Sequence, residues 1–346
     1  RIGVEAMGTL RSATGGAGMS KSISRVLGAG LVVVAILVLP LLLTQNELRN
    51  FARFLALVLA VLGVNVALGA GGIVSLGQSV FVGVGAFALV SFSDDFGLPI
   101  LVALPLAALF TGGVGVLLGF PSLRVRDSQF ALVSFGYAIA FPPFARWCRS
   151  ITGGPSGRNL ERELLPPSWL PIEDLVYRYL ITMFVIVLCM VIAANFLQSR
   201  WGRATKAQRD NSLAAATFGV PIARTRSAAL GLSAALSGVS GALGVILFPF
   251  VQANDFDVFM ALRHRAEAVI GGLSSAVGAL WGVLSLWLFP LIGETIGIGG
   301  GANFIFGLSV LILSYSQIDG VVGAIRALDA AMSRRRQRSA AQHSSQ

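Results

Sequence analysis

Ser199–Arg226 reads SRWGRATKAQRDNSLAAATFGVPIARTR. It is the longest polar interval between apolar spans, and it sets Arg200, Arg203, Lys206, Arg209, Arg224 and Arg226 against one acid, Asp210. Between membrane spans, so basic a short loop belongs on the cytoplasmic side, because Lys and Arg resist translocation. Its middle favours helix through Ala204, Lys206, Ala207, Leu213 and Ala214–Ala216. Gly219 then offers a C-terminal stop, and Pro221 follows two residues later. The residues predict one or two short helices at the cytoplasmic surface, shallow enough to sit in a groove of another protein. Residue types alone allow a second reading, a solvated basic loop that only fixes topology.

The rest of the chain makes the membrane setting plain. Of 346 residues, 55% are hydrophobic and 12% charged, and the mean hydropathy is +0.78. A soluble domain carries about 25% charged residues. Half that, with several apolar runs long enough to cross ~30 Å of hydrocarbon, predicts an all-α, polytopic transmembrane helical bundle of about 8–10 spans. The net charge of +10 lies mostly in loops and tails. It reads as a topology signal and an attraction to lipid headgroups, not as nucleic-acid binding, since no aromatic-interleaved basic patch accompanies it. Cys148 and Cys189 form no disulfide framework, and His264 and His343 have no ligand spacing. Gly15–Ser22 approaches a phosphate-binding loop, but Ser20 replaces a required glycine and no strand precedes it. No catalytic constellation, metal site or bound cofactor is expected; ATP, if it drives this protein, is hydrolysed by another chain.

Residues 1–27 read as a cytoplasmic tail, with Met19 as an alternative start, and residues 28–325 as the transmembrane domain. Residues 326–346, with Arg334–Arg336 and Arg338, read as a basic cytoplasmic tail. Spans are expected at about 28–44, 51–69, up to 92, 98–120, up to 144, 175–197, 227–250, up to 290, and 303–316. That is nine, whereas two cytoplasmic tails require an even number. The two Gly-Gly-x-x-Ser segments, Gly71–Ser75 and Gly271–Ser275, account for the mismatch, each read as the start of a broken half-helix or as concealing two short ones; their shared pattern also suggests a diverged internal repeat.

Gly69–Ser79 holds too many glycines for a uniform lipid-facing helix. Broken backbone survives in a membrane only where protein or a water-filled cavity covers it. Asn65, Gly72, Ser75, Gln78, Ser134, Gly271 and Gly272 are therefore candidates for the lining of a translocation path; the other reading is close helix packing with interhelical hydrogen bonds. Asp94-Asp95 mark an outside turn, Gly115-x-x-x-Gly119 a packing face, and Pro142-Pro143 the disruption of the fifth span. Residues 145–174 form the longest outside loop, with Arg146, Arg149, Arg158 and Arg162 offset by Glu161, Glu163, Glu173 and Asp174. Residues 251–265 are expected to be an outside link, and Arg263, His264, Arg265 and Glu267 interfacial charges.

Several of these stretches carry a family resemblance. Leu213-Ala214-Ala215-x-x-x-Gly219 resembles the coupling-loop motif of permease subunits in ATP-binding-cassette importers, with Leu213 where an acid usually stands. Gly202-Arg203-Ala204, Arg209-Asp210-Asn211 and Gly219-Val220 around it resemble the branched-chain amino acid permeases of the LivM type. So do Leu62–Asn65, Gly69-x-x-Gly72-x-x-Ser75-Leu76-Gly77-Gln78, Phe81-x-Gly83-x-Gly85-Ala86, Thr152–Gly157 and Val269-Ile270-Gly271-Gly272-Leu273. Arg263–Glu267 departs from a pattern that is usually apolar there. The resemblance covers roughly residues 55–325. It implies an inner-membrane importer subunit forming half a path for leucine, isoleucine and valine, with a second permease chain, two ATPase subunits that use the ATP, and an extracytoplasmic solute-binding protein. Arg203, Arg209, Leu213, Ala214, Ala215 and Gly219 would be the coupling residues. Urea or short-chain amides are the alternative cargo. A stand-alone secondary transporter or channel is the alternative class, disfavoured by span interiors nearly free of ionisable residues.

Overall fold

The structure, a computed structural model, describes residues 40, 42–123, 127–167, 172–273, 278–285 and 307. Most of the expected first and last spans, the phosphate-loop-like segment and both tails lie outside the described residues. The chain divides into two compact units, residues 1–50 and 51–346. In the first, Thr44 Oγ1 donates to Glu47 Oε2 at 2.8 Å and Thr44 N–H to the same oxygen at 2.9 Å. This Thr-x-x-Glu pairing is a capping box, and it launches helix α1, Gln45–Val64.

α1 continues as a π-helical turn, Asn65–Ala70, and then breaks. α2 is Gln78–Val90, extended by a second π-helical turn, Ser91–Asp95. α3 is Ile100–Gly119, α4 Asp127–Trp147 and α5 Asp174–Gln198. Two short helices follow, α6 at Arg200–Asp210 and α7 at Ser212–Thr217. α8 is Ile222–Leu247 and α9 is Val258–Gly271. The only strands among the described residues are Arg158–Asn159 (β1) and Phe250–Val251 (β2), paired antiparallel. Four stretches among the described residues are long and apolar enough to cross a membrane: Gln45–Ala70, Ile100–Leu123, Asp174–Gln198 and Ile222–Leu247.

α8 is the centre of the bundle. Its membrane-length window is 78% buried, against 33% for α3 and 28% for α5. Small residues permit this. A Cβ on Gly85 of α2 would lie 2.2 Å from the carbonyl oxygen of Gly238, and one on Gly115 of α3 would lie 2.2 Å from the Ala234 methyl. Bare backbone thus meets backbone, which is how helices associate when lipid removes the hydrophobic drive between them. α3 and α5 turn Leu109, Leu117 and Phe184 outward, as helices on an apolar perimeter do.

Contacts sort the loops of residues 51–346 into two ends. At one, Arg158 forms an ion pair with Asp95 at 2.7 Å, Glu161 N–H donates to Asp94 at 3.1 Å, and β1 pairs with β2. At the other, Arg226 donates to the Ser122 carbonyl at 3.0 Å and Arg209 to that of Gly69 at 2.5 Å. The basic residues of the 145–174 loop are thus balanced partly by the Asp94–Asp95 turn, a partner distant in sequence. Arg158 holds the Asp95 carboxyl below the usual carboxylate range through its hydrogen bond.

Four expectations require correction. α4 is not disrupted at Pro142-Pro143 but runs to Trp147; membrane helices tolerate prolines whose freed carbonyls find other partners. α1 begins at Gln45 rather than near Phe51, because of the capping box. α8 begins at Ile222, not Ser227, with Pro221 as its N-cap, so Arg224 and Arg226 are helical. The 251–265 link ends early, because Asp257 caps Met260 N–H at 2.9 Å and starts α9 at Val258. Within the 263–267 group, His264 and Glu267 are buried in α9 at 1% and 0% exposure and pair at 3.0 Å, while Arg263 is exposed.

Candidate functional site

The basic interval folds as two capped helices. Ser199 Oγ accepts from Gly202 N–H at 3.3 Å and starts α6. Gly202, Thr205 and Gln208 recur every three residues and are buried, so one face is fastened to the bundle. Arg203 and Lys206 reach back to the Gln198 and Leu197 carbonyls at 2.8 and 3.4 Å, placing cations on the orphan carbonyls at the end of α5. Gln208 accepts from Thr225 of α8. Asn211 Oδ1 then caps Ala214 N–H at 3.0 Å and starts α7.

α7 ends in a Schellman arrangement. Gly219 N–H donates to Ala216 O and Val220 N–H to Ala215 O, both at 3.0 Å, with Gly219 at φ +80°. Ala215 is buried and Ala214 exposed. Leu213 and Phe218 are 82% and 87% exposed. Two large apolar side chains therefore stand exposed on a six-residue helix and its C-cap. Phe218 was not singled out from the sequence; its signal is a lone aromatic at the end of an Ala-rich helix.

Arg209 joins this element to the first helix break. Its Nη1 donates to the Gly69 carbonyl at 2.5 Å, while Nε and Nη2 hold Asp210 Oδ1 at 3.0 and 2.9 Å. Its stem lies where a Gly72 side chain would be: a Cβ there would meet Arg209 Cγ at 2.6 Å, and Gly72 has φ +66°. The Gly69 carbonyl is free to accept because the π-helical turn ends there: Gly71, Gly72 and Ile73 N–H groups donate to Val66, Leu68 and Ala67. Residues 73–77 then run without helix. Ser134 of α4 steadies them, its Oγ accepting from Leu76 N–H at 2.9 Å, and Ser75 Oγ accepts from Gly77 N–H at 3.3 Å.

The second break mirrors the first. α9 stops at Gly271, Gly272 takes φ +103°, and helix resumes over 278–285. A Cβ on Gly69 would lie 1.8 Å from the Leu273 carbonyl oxygen, so the two breaks touch. Of the candidate path residues, Gly72, Ser75, Ser134, Gly271 and Gly272 sit at or beside these breaks. Asn65 is buried within the π-helical turn. Gln78 is enclosed, its amide donating to Ala60 O at 3.4 Å, to Ser233 Oγ at 3.3 Å and to Ser237 Oγ. Among the described residues no cluster of His, Cys, Asp and Glu has metal-binding geometry.

Comparison with known proteins identifies the family. The family model described as "Branched-chain amino acid transport system / permease component" matches residues 48–315. The "High-affinity branched-chain amino acid transport system permease protein LivM" of Escherichia coli K12 is 26% identical over 282 residues, covering 74% of this chain and 66% of the relative. The protein of the same name from Salmonella typhimurium LT2 is 27% identical over 271 residues, covering 71% and 64%. The chain thus spans just under two thirds of the length of these relatives. No solved structure matches it. With most of its length inside that family model, and with long apolar helices packed through small residues, the chain belongs to the permease-component family of branched-chain amino acid transport systems and is a multi-pass membrane protein.

Proposed function

We propose that this chain is one of two permease subunits of an ATP-binding-cassette importer in the bacterial inner membrane, and that it forms half of the path for leucine, isoleucine and valine. The observation that carries the reading is α7, a short exposed helix presenting Leu213 and Phe218, fastened through α6 and Arg209 to a broken membrane helix. An ATPase subunit docks on those two side chains, and its closure moves α6 against the helix breaks. The end bearing Ser199–Arg226 faces the cytoplasm, and both termini lie on that side. ATP is bound and hydrolysed by two partner subunits. A solute-binding protein delivers cargo at the opposite end and sets most of the selectivity.

The test is uptake of labelled leucine and labelled urea in cells lacking the chain, then with it restored. The natural chain restores leucine uptake. A Leu213→Asp/Phe218→Asp double variant reaches the membrane at the normal level, does not restore uptake, and no longer co-purifies with the ATPase subunits. Restoration of urea uptake alone would keep the mechanism and move the cargo to urea or short-chain amides. A second reading rests on one observation: His264 and Glu267 are buried and 3.0 Å apart in α9, the kind of intramembrane pair an ion-coupled transporter uses. Normal uptake by the double variant, abolished when the proton gradient is collapsed at constant ATP, would establish that class instead.

A further inference from the structure

At the end away from α6 and α7, α1, α2, α8 and the 248–260 segment enclose an open cavity. Its polar lining is unusual for a membrane bundle. Arg53 of α1 lies over the Phe248 ring, 4.9 Å from its centroid. Such a cation–ring contact holds the guanidinium at the cavity without consuming an N–H donor in a conventional hydrogen bond. Asp255 Oδ1 accepts from Gln252 Nε2 at 3.0 Å. Ser240 of α8 is 2% exposed, and its Oγ has no hydrogen-bond partner, a state that costs free energy unless something fills the cavity. The other walls are apolar, with Leu57, Val82 and Phe256 among them.

One cation, one anion and one hydroxyl around an apolar hollow are complementary to a zwitterion with an aliphatic tail. We infer that this cavity is an entry subsite for an α-amino acid, with Arg53 on the carboxylate, Asp255 on the ammonium, Ser240 on either, and the side chain against Leu57, Val82 and Phe256. The inference rests on the importer reading and adds where cargo is first held. The cavity is small, ≈ 90 Å³ against about 150 Å³ for one that accepts benzene, so a bulky indole is expected to bind more weakly than an isobutyl group. A zwitterion meets both charges of the lining, whereas cargo lacking one charge meets only one of them.

The test has two arms. In the first, the complete transporter in phosphatidylcholine nanodiscs is probed by saturation-transfer NMR with leucine, 3-methylbutylamine, 4-methylpentanoate and tryptophan, without the solute-binding protein. Leucine gives signal; the two truncated analogues and tryptophan give at least tenfold less. Arg53→Gln and Asp255→Asn each abolish the leucine signal, and Arg53→Lys retains part of it. In the second, the same variants are assayed for uptake with the binding protein present. Arg53→Gln and Asp255→Asn lower the maximal rate at least tenfold at equal membrane level, while KM, set by the binding protein, stays. Leucine signal unchanged in both charge-removing variants, or tryptophan binding as well as leucine, overturns the subsite. If leucine uptake depends on the chain yet both variants transport normally, the subsite alone is wrong. If leucine uptake does not depend on the chain, the importer reading for leucine falls with it.

Discussion

Gln78 shows how a polar residue at membrane depth is reconciled with its surroundings. Its amide on α2 reaches α1 through the Ala60 carbonyl and α8 through Ser233 and Ser237. Both serines also donate onward, Ser233 to Gly63 O at 2.7 Å and Ser237 to Ser233 O at 3.0 Å. Gln78→Leu removes the donor and leaves those serines satisfied as donors, so the cost is about 1 kcal/mol, read as a modest drop in Tm in detergent. KM and maximal rate of leucine uptake stay unchanged. A shifted transport rate at unchanged Tm would place Gln78 in the path instead. The sequence alone left both readings open, because a lone Gln among glycines looks the same in either. The His264–Glu267 pair was hidden differently: the surrounding charges read as a loop until Asp257, a single capping residue, is seen to start a helix. His264 Nε2 and Glu267 Oε1 then have no partner.

At the scale of elements, caps and breaks decide where each helix starts and stops. Thr44–Glu47, Asn211, Gly219 and Asp257 set four boundaries, and all are short local patterns. The loops at the far end are held differently, by pairs distant in sequence, of which Arg158–Asp95 has the best geometry, with guanidinium nitrogens at 2.7 and 2.9 Å from the two carboxylate oxygens. Asp95 titrates below its ordinary value in the folded protein, so its contribution is fully present above about pH 4. It is lost as the pH falls through the depressed value. Acid should therefore loosen β1 and the residues after it, seen as faster protease cleavage of 158–167 in sealed membranes. Asp95→Asn should cleave faster at neutral pH and lose the acid dependence. The effect is small because the Asp95 side chain is 45% exposed.

For the whole molecule, the decisive arrangement is the chain of contact from α7 through α6 and Arg209 to Gly69, and from Gly69 to Leu273 of the second break. Arg209→Gln keeps a donor but loses the charge and the reach of the fork. Leucine uptake falls at least tenfold, while ATP hydrolysis and co-purification of the ATPase subunits persist. Normal uptake would reduce Arg209 to a fastener of the fold. The sequence by itself determined the membrane class and the helical bundle, because apolar length is a local property; local Gly and Pro chemistry narrowed the basic interval to short helices or a solvated loop, and the two glycine segments to breaks or close packing. Only the tertiary structure decided that the two breaks touch, that Arg209 grips one of them, and that Arg53, Ser240 and Asp255 share a cavity. Those contacts join residues far apart in the chain, and they depend on α8 packing backbone to backbone at Gly85 and Gly238, which no single stretch of sequence encodes.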